Sequence, residues 1–74
     1  KMALYGGLDG LKIIDKVIKK SKFVLKNSGM LAIEIGFGQH YKVSEILKKN
    51  DFYIFKTITD YQKIKRCFLA KKNN

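Results

Sequence analysis

From Leu11 onward, apolar positions recur at three- and four-residue spacing. Leu11, Ile14, Val17, Ile18, Ser21, Val24 and Leu25 fall on one side, and Lys12, Lys16, Lys19, Lys20 and Lys22 largely on the others. This period predicts an amphipathic helix of about four turns. Lys26-Asn27-Ser28-Gly29 ends it, with Asn27 or Gly29 suited to a left-handed conformation. Residues 30–35 are almost continuously apolar, as expected for a strand covered on both faces, with Glu34 the exception at its end. The helical period returns over residues 39–49, with Tyr41 or Val43, Ile46 and Leu47 pointing inward. Phe52–Thr59 alternates, with Phe52, Ile54 and Lys56 on one face and Tyr53, Phe55 and Thr57 on the other. Its β-branched and aromatic content makes it a strand. Residues 60–63 form a turn, and the last strand runs from Ile64 or Arg66 to Lys71, closing an antiparallel hairpin.

Before the first helix, residues 1–10 read as a glycine-rich loop. Gly6-Gly7 and Asp9-Gly10 supply its turns, and Asp9 is a candidate helix N-cap. The predicted order is therefore loop, helix, strand, helix, strand, strand. That is an α/β class, and with 74 residues the chain makes one domain at most.

Composition narrows the functional classes. The chain is 46% hydrophobic, too apolar for disorder by composition. Its single cysteine, Cys67, excludes a disulfide framework, and no Cys/His cluster offers a zinc site. Cys67 reads as a small buried hydrophobe, with a reactive thiol as the alternative, and the scarcity of thiols fits a reducing cytoplasm. No apolar run approaches the roughly 20 residues of a membrane span. The formal charge is +10, but Arg66 is the only arginine among 16 basic residues. Readers of nucleic acid use arginine for bidentate contacts, so the lysines read as a solvated surface. The alternative is a small basic α/β module that binds RNA or the ribosome.

Candidate chemistry is sparse. His40 is the only histidine, at the start of the second helix. Gly36-Phe37-Gly38 lies between a strand and a helix, but a dinucleotide fingerprint needs a third glycine where Tyr41 stands. Glu34 is a strand-end carboxylate held by backbone N–H groups or by Arg66, or else a direct ligand contact. No complete active site emerges from the residues.

Three blocks carry a family resemblance. Ala3-Leu4-Tyr5-Gly6-Gly7-Leu8-Asp9-Gly10-Leu11 resembles the A-L-x-G-G-x-D-G-L segment of HemK-type methyltransferases, the peptide chain release factor glutamine methyltransferases. Glu34-Ile35-Gly36-x-x-Gln39 resembles their E-I-G-x-x-Q. Asp60 and Arg66-Cys67-Phe68-Leu69-Ala70 are similar to their closing D-x-x-G-x-x-R-hydrophobic hairpin. Lys63 departs from the usual glycine of that turn, and Lys65 from a common acidic residue.

The resemblance implies the C-terminal part of a seven-stranded, Rossmann-like domain that uses S-adenosylmethionine, with residues 1–74 as one partial domain. The complete enzyme would methylate the glutamine amide in the Gly-Gly-Gln motif of a release factor, its partner. The family's cofactor loop and Asn-Pro-Pro-Tyr motif have no counterpart in these residues, so the resemblance implies no cofactor and no activity for this chain alone. It implies a substrate-side wall of Tyr5, Gly6, Gly7, Asp9 and Gly10. Gly36 and Gln39 would set turn geometry and a helix cap, or touch the release factor. The sheet edge would take an N-terminal complementing segment or a second copy.

Overall fold

The apolar segment of residues 30–35 is the centre of the structure. The computed structural model describes residues 2–5 and 10–73, and of residues 4 and 5 the backbone alone. The elements are β1 (Met2–Tyr5), α1 (Leu11–Val24), β2 (Met30–Glu34), α2 (His40–Lys49), β3 (Phe52–Thr59) and β4 (Lys65–Lys72). They form one sheet of order β1-β2-β4-β3. β1 runs parallel to β2, while β4 is antiparallel to both β2 and β3.

β1 corrects the sequence reading, which placed residues 1–10 in a loop. Four residues are too few to show a period. What makes Met2–Tyr5 a strand is its pairing with residues 30–33 of β2, a partner nearly thirty positions away.

Both helices lie on one face of the sheet. Leu31, Ile33 and Ile35 alternate onto that face and share a core cluster with Ile14 and Ile18 of α1 and Val43 and Leu47 of α2. Phe52, Phe68 and Ala70 complete the cluster from β3 and β4. Ser21 is fully buried on the α1 stripe and satisfies its hydroxyl by donating to the Val17 carbonyl at 2.8 Å. One expected inward residue stays outside, Val24, which is exposed in the last turn of α1; of the alternatives Tyr41 and Val43, α2 buries Val43 and leaves Tyr41 exposed.

The opposite face is not covered by any described element. By register it carries Met2, Met30, Ala32, Cys67, Leu69, Tyr53 and Ile58, together with the charged Glu34, Lys56 and Lys71. Met2 and Ile58 keep 39% and 43% of their surface exposed. Lys71 holds its ammonium 5.0 Å from the Phe55 ring centroid.

Two further expectations change. The alternation in β3 breaks, because register jumps from Ile54 opposite Ala70 to Lys56 opposite Leu69, leaving Phe55 as the extra residue. Thr57, rather than Lys56, then follows Ile54 onto the helix side, opposite Phe68. The end of α1 needs no left-handed residue. Leu25 caps it in an extended conformation, and among the described residues positive φ occurs at Gly10, Gly38, Asp51 and Lys63, not at Asn27 or Gly29.

The last turn keeps a left-handed residue even though lysine replaces the usual glycine, since Lys63 has φ 64°. A Cβ in that region costs roughly 1–2 kcal/mol, partly offset by the greater freedom that glycine brings to the unfolded chain. Lys63→Gly should therefore raise stability by about 0.5–1 kcal/mol, read as a higher urea midpoint with an unchanged m-value. A lower midpoint would show that the lysine side chain contributes more than its backbone strain costs.

Candidate functional site

The strand–glycine–helix connection after β2 is the first candidate. Ile35 continues the sheet by donating its N–H to the Arg66 carbonyl at 2.9 Å. The chain then closes a tight turn. Gly36 N–H donates to Gln39 Oε1 at 3.1 Å, and Gln39 N–H donates back to the Gly36 carbonyl at 3.0 Å. A Cβ on Gly36 would lie 2.5 Å from that Oε1 and 2.9 Å from Gln39 Cδ. A Cβ here would push the Gln39 carboxamide, the far end of a flexible side chain, out of its hydrogen bond. Gly38 is required by its φ of 78°.

This geometry limits what two of the turn's amides can do chemically. Gln39 occupies the N-cap position of α2, but its side chain makes no cap hydrogen bond to the helix and turns back to Gly36 instead. The amides of Gly36 and Gln39 are consumed inside the turn. They do not point outward as the amides of a phosphate cradle do.

The hairpin turn beside it is organised by one carboxylate. Asp60 Oδ1 accepts from the N–H groups of Gln62 at 2.8 Å and Ile64 at 3.0 Å, and Oδ2 accepts from Arg66 Nε at 2.8 Å. These bonds, the Ile64 N–H foremost, hold Asp60 below the usual carboxylate range against an opposing effect of burial. Sequence reading matched Asp60 to a family position but missed this role. The signal was an aspartate placed to bond backbone two residues on, as Asx-turns require.

The other candidates are placed as follows. Glu34 is exposed at the end of β2 and faces Cys67 across the ladder. Burial and then the Glu34 charge push the Cys67 thiol up, which removes thiolate character rather than conferring it. Arg66 meets Asp60. Gly10 is the N-cap residue of α1, with φ 83°, and the N-cap expected of Asp9 falls on a residue outside the described ones, as do Gly6 and Gly7. Tyr5 is described by its backbone, in β1. His40 is exposed at the start of α2. Among the described residues no group of three or more His, Cys, Asp or Glu is placed to hold a metal ion, and no helix is long and apolar enough to cross a membrane.

Similarity to known proteins is concentrated in one group. No family model matches the chain. It is 39% identical over 69 residues to the release factor glutamine methyltransferase of Clostridium acetobutylicum, covering 93% of this chain and 24% of that protein. The enzyme of the same name from Fusobacterium nucleatum is 41% identical over 64 residues, covering 86% of this chain and 18% of that protein. The chain thus spans about a quarter or less of the length of these relatives. In fold it is similar to the crystal structure of a release factor-specific protein-(glutamine-N5) methyltransferase from Alicyclobacillus acidocaldarius. There the TM-score is 0.68 at 17% identity, over 96% of this chain and 46% of that one.

Two measurements test the turns. Gly36→Ala should cost about 1–2 kcal/mol by displacing Gln39. In the Gln39→Ala background the same change should cost less than half as much, so a double-mutant cycle by urea unfolding reports coupling. Additive losses would show that Gly36 is needed for a reason other than Gln39. Asp60 has a folded pKa below its unfolded one, so its contribution is present above about pH 4 and is lost as pH falls through the folded value. Thermal melts should show Asp60→Asn flattening the decline of Tm between about pH 5 and pH 2 relative to wild type.

Proposed function

Because this chain belongs, by sequence and by fold, with the release factor glutamine methyltransferases, we propose that it is the C-terminal part of such an enzyme's catalytic domain. The complete enzyme is cytoplasmic and transfers a methyl group from S-adenosylmethionine to the glutamine side-chain amide of a release factor's Gly-Gly-Gln motif. The observation that carries this reading is a match over nearly the whole chain to about a quarter of the relatives, joined to a sheet with an uncovered apolar face. β1 is an edge strand of that sheet. An edge strand and an open apolar face are what a sheet has where further strands and helices complete it. In this reading the four strands are one side of a seven-stranded sheet, and the β1 edge takes the preceding strand.

The chemistry divides accordingly. An amide nitrogen is a weak nucleophile, so transfer depends on orientation and on acceptors that polarise its N–H groups. The family resemblance assigns Tyr5, Gly6, Gly7, Asp9 and Gly10 to the substrate side of the complete enzyme. Gly36 and Gln39 keep the β2–α2 connection short and closed. The described residues do not fit S-adenosylmethionine. Among the described residues that line the cavity between α2 and the hairpin there are His40, Lys48 and Lys65 but no carboxylate of the kind that favours a sulfonium cation or holds a ribose. The donor pocket therefore belongs to the rest of the domain, and this chain alone neither binds the donor nor methylates. An RNA-binding role is not favoured, since the relatives and the matching fold are methyltransferases.

Isothermal titration with S-adenosylmethionine, alongside circular dichroism, tests this. The folded chain alone should show no binding tighter than about 1 mM. Mixing it with the preceding three quarters of the Clostridium acetobutylicum relative should restore binding. Micromolar binding by the isolated chain would overturn the division of labour.

A further inference from the structure

We propose that the two turns at the end of the sheet where β1, β2 and β3 finish form the surface on which the protein substrate docks, with the rings of Phe37 and Tyr61 as its anchors. This inference rests on the enzymatic reading above. Register sets the end: Tyr5 lies beside Ile33, Glu34 beside Cys67 and Thr59 beside Lys65. The three strands run the same way, since β1 is parallel to β2 and β4 is antiparallel to both β2 and β3. Ligands of open α/β sheets bind outside such carboxyl ends. The turns after β2 and β3 stand side by side there. A depression of about 240 Å³ lies between them, lined by Phe37, Gly38 and His40 on one side and Lys63, Ile64 and Lys65 on the other.

Each turn holds an aromatic ring out in water on a fixed backbone. Phe37 is 83% exposed inside the loop closed by Gly36 and Gln39, and Tyr61 is 94% exposed inside the loop closed by Asp60. Neither ring belongs to the core cluster. Aromatic anchors on ordered backbone lose little freedom on binding, which is why such residues dominate protein interfaces. Phe23 is also exposed, but it sits near the opposite end of the sheet. There Leu25 accepts from Lys72, the residue paired with Phe52 at the start of β3.

Position selects the occupant. The group that accepts the methyl must reach the carboxyl end of the strands, and in an enzyme that methylates a release factor that group is carried by a protein. Any other molecule held on these turns would stand in its way. Charge narrows the docking patch on that protein. His40, Lys63 and Lys65 line the depression, and no carboxylate is among its described lining residues. The patch that meets them should therefore carry Asp or Glu.

Titration of the isotope-labelled whole chain with a Clostridium acetobutylicum peptide chain release factor tests it. Amide shifts should fall on residues 36–40 and 60–65. Phe37→Ala with Tyr61→Ala should weaken binding about tenfold, whereas Phe23→Ala with Val24→Ala should change it by less than about twofold. Lys65→Gln should weaken it about threefold. These apolar side chains are exposed, so both double variants should keep the wild-type urea midpoint, and lost binding then reports lost contact. The enzymatic reading is measured separately, as donor binding by the chain mixed with the preceding part of the relative. Donor binding restored in that mixture, with no release factor binding to the chain up to about 1 mM, would overturn the docking surface and leave the enzymatic reading in place. Failure of donor binding to return would overturn that reading itself. Shifts confined to the β1 edge, equal losses from the two double variants, or an oligouridylate that produces the same shifts at lower concentration would each overturn the docking surface.

Discussion

Burial of one face of β2 beneath two helices is the constraint on which the rest of this structure depends. Leu31, Ile33 and Ile35 are nearly or wholly removed from water, as are Ile14, Ile18, Val43 and Leu47 above them. A chain of this length has little apolar surface to spare, and it spends most of it on that single layer. β1 and β4 are recruited to the two sides of β2 because an isolated strand in that position would leave its amides and carbonyls unpaired. β3 follows as the partner of β4. The far end of the hairpin is tied down by polar contacts: Lys72 Nζ donates to the Leu25 carbonyl at 2.7 Å, and Asn73 N–H to the Asp51 carbonyl at 2.7 Å. The first also places a cation at the C-terminal end of α1, where the helix dipole favours it.

The same layer explains the asymmetry of the sheet. Both helices serve one face, so the other displays methionine, isoleucine, phenylalanine and tyrosine to solvent. Single exposed apolar residues need no explanation, but several on one face, here interspersed with Glu34, Lys56 and Lys71, are consistent with a surface that is covered in part. That physical fact and the partial match to much longer methyltransferases point the same way, although they come from unrelated observations.

The two turns show how little of the apparent site machinery is free for catalysis. The glycines after β2 look like a ligand loop, yet the space a Gly36 Cβ would take is filled by Gln39 Oε1, which accepts from the Gly36 N–H. Asp60 looks like a candidate acid, yet two backbone amides and a guanidinium fill its coordination. Each polar group spends its bonding capacity on shaping backbone. In these two turns the polar groups act as scaffold.

What the sequence by itself determined was every element with a period long enough to register. The three- and four-residue spacing from Leu11 specified α1, the repeat ending in Ile46 and Leu47 specified α2, and alternation with turn chemistry specified the hairpin. The three family blocks were equally legible, because they are local strings. Only tertiary structure decided the rest, and for one reason: those features depend on partners distant in the chain. Four residues at 2–5 become a strand when β2 lies beside them. Phe55 becomes a bulge when β4 sets the register. Val43 rather than Tyr41 faces inward because α1 and β2 define where inward is. The groove beside α2 exists only once a helix and a hairpin, each legible alone, are packed at a separation that neither specifies.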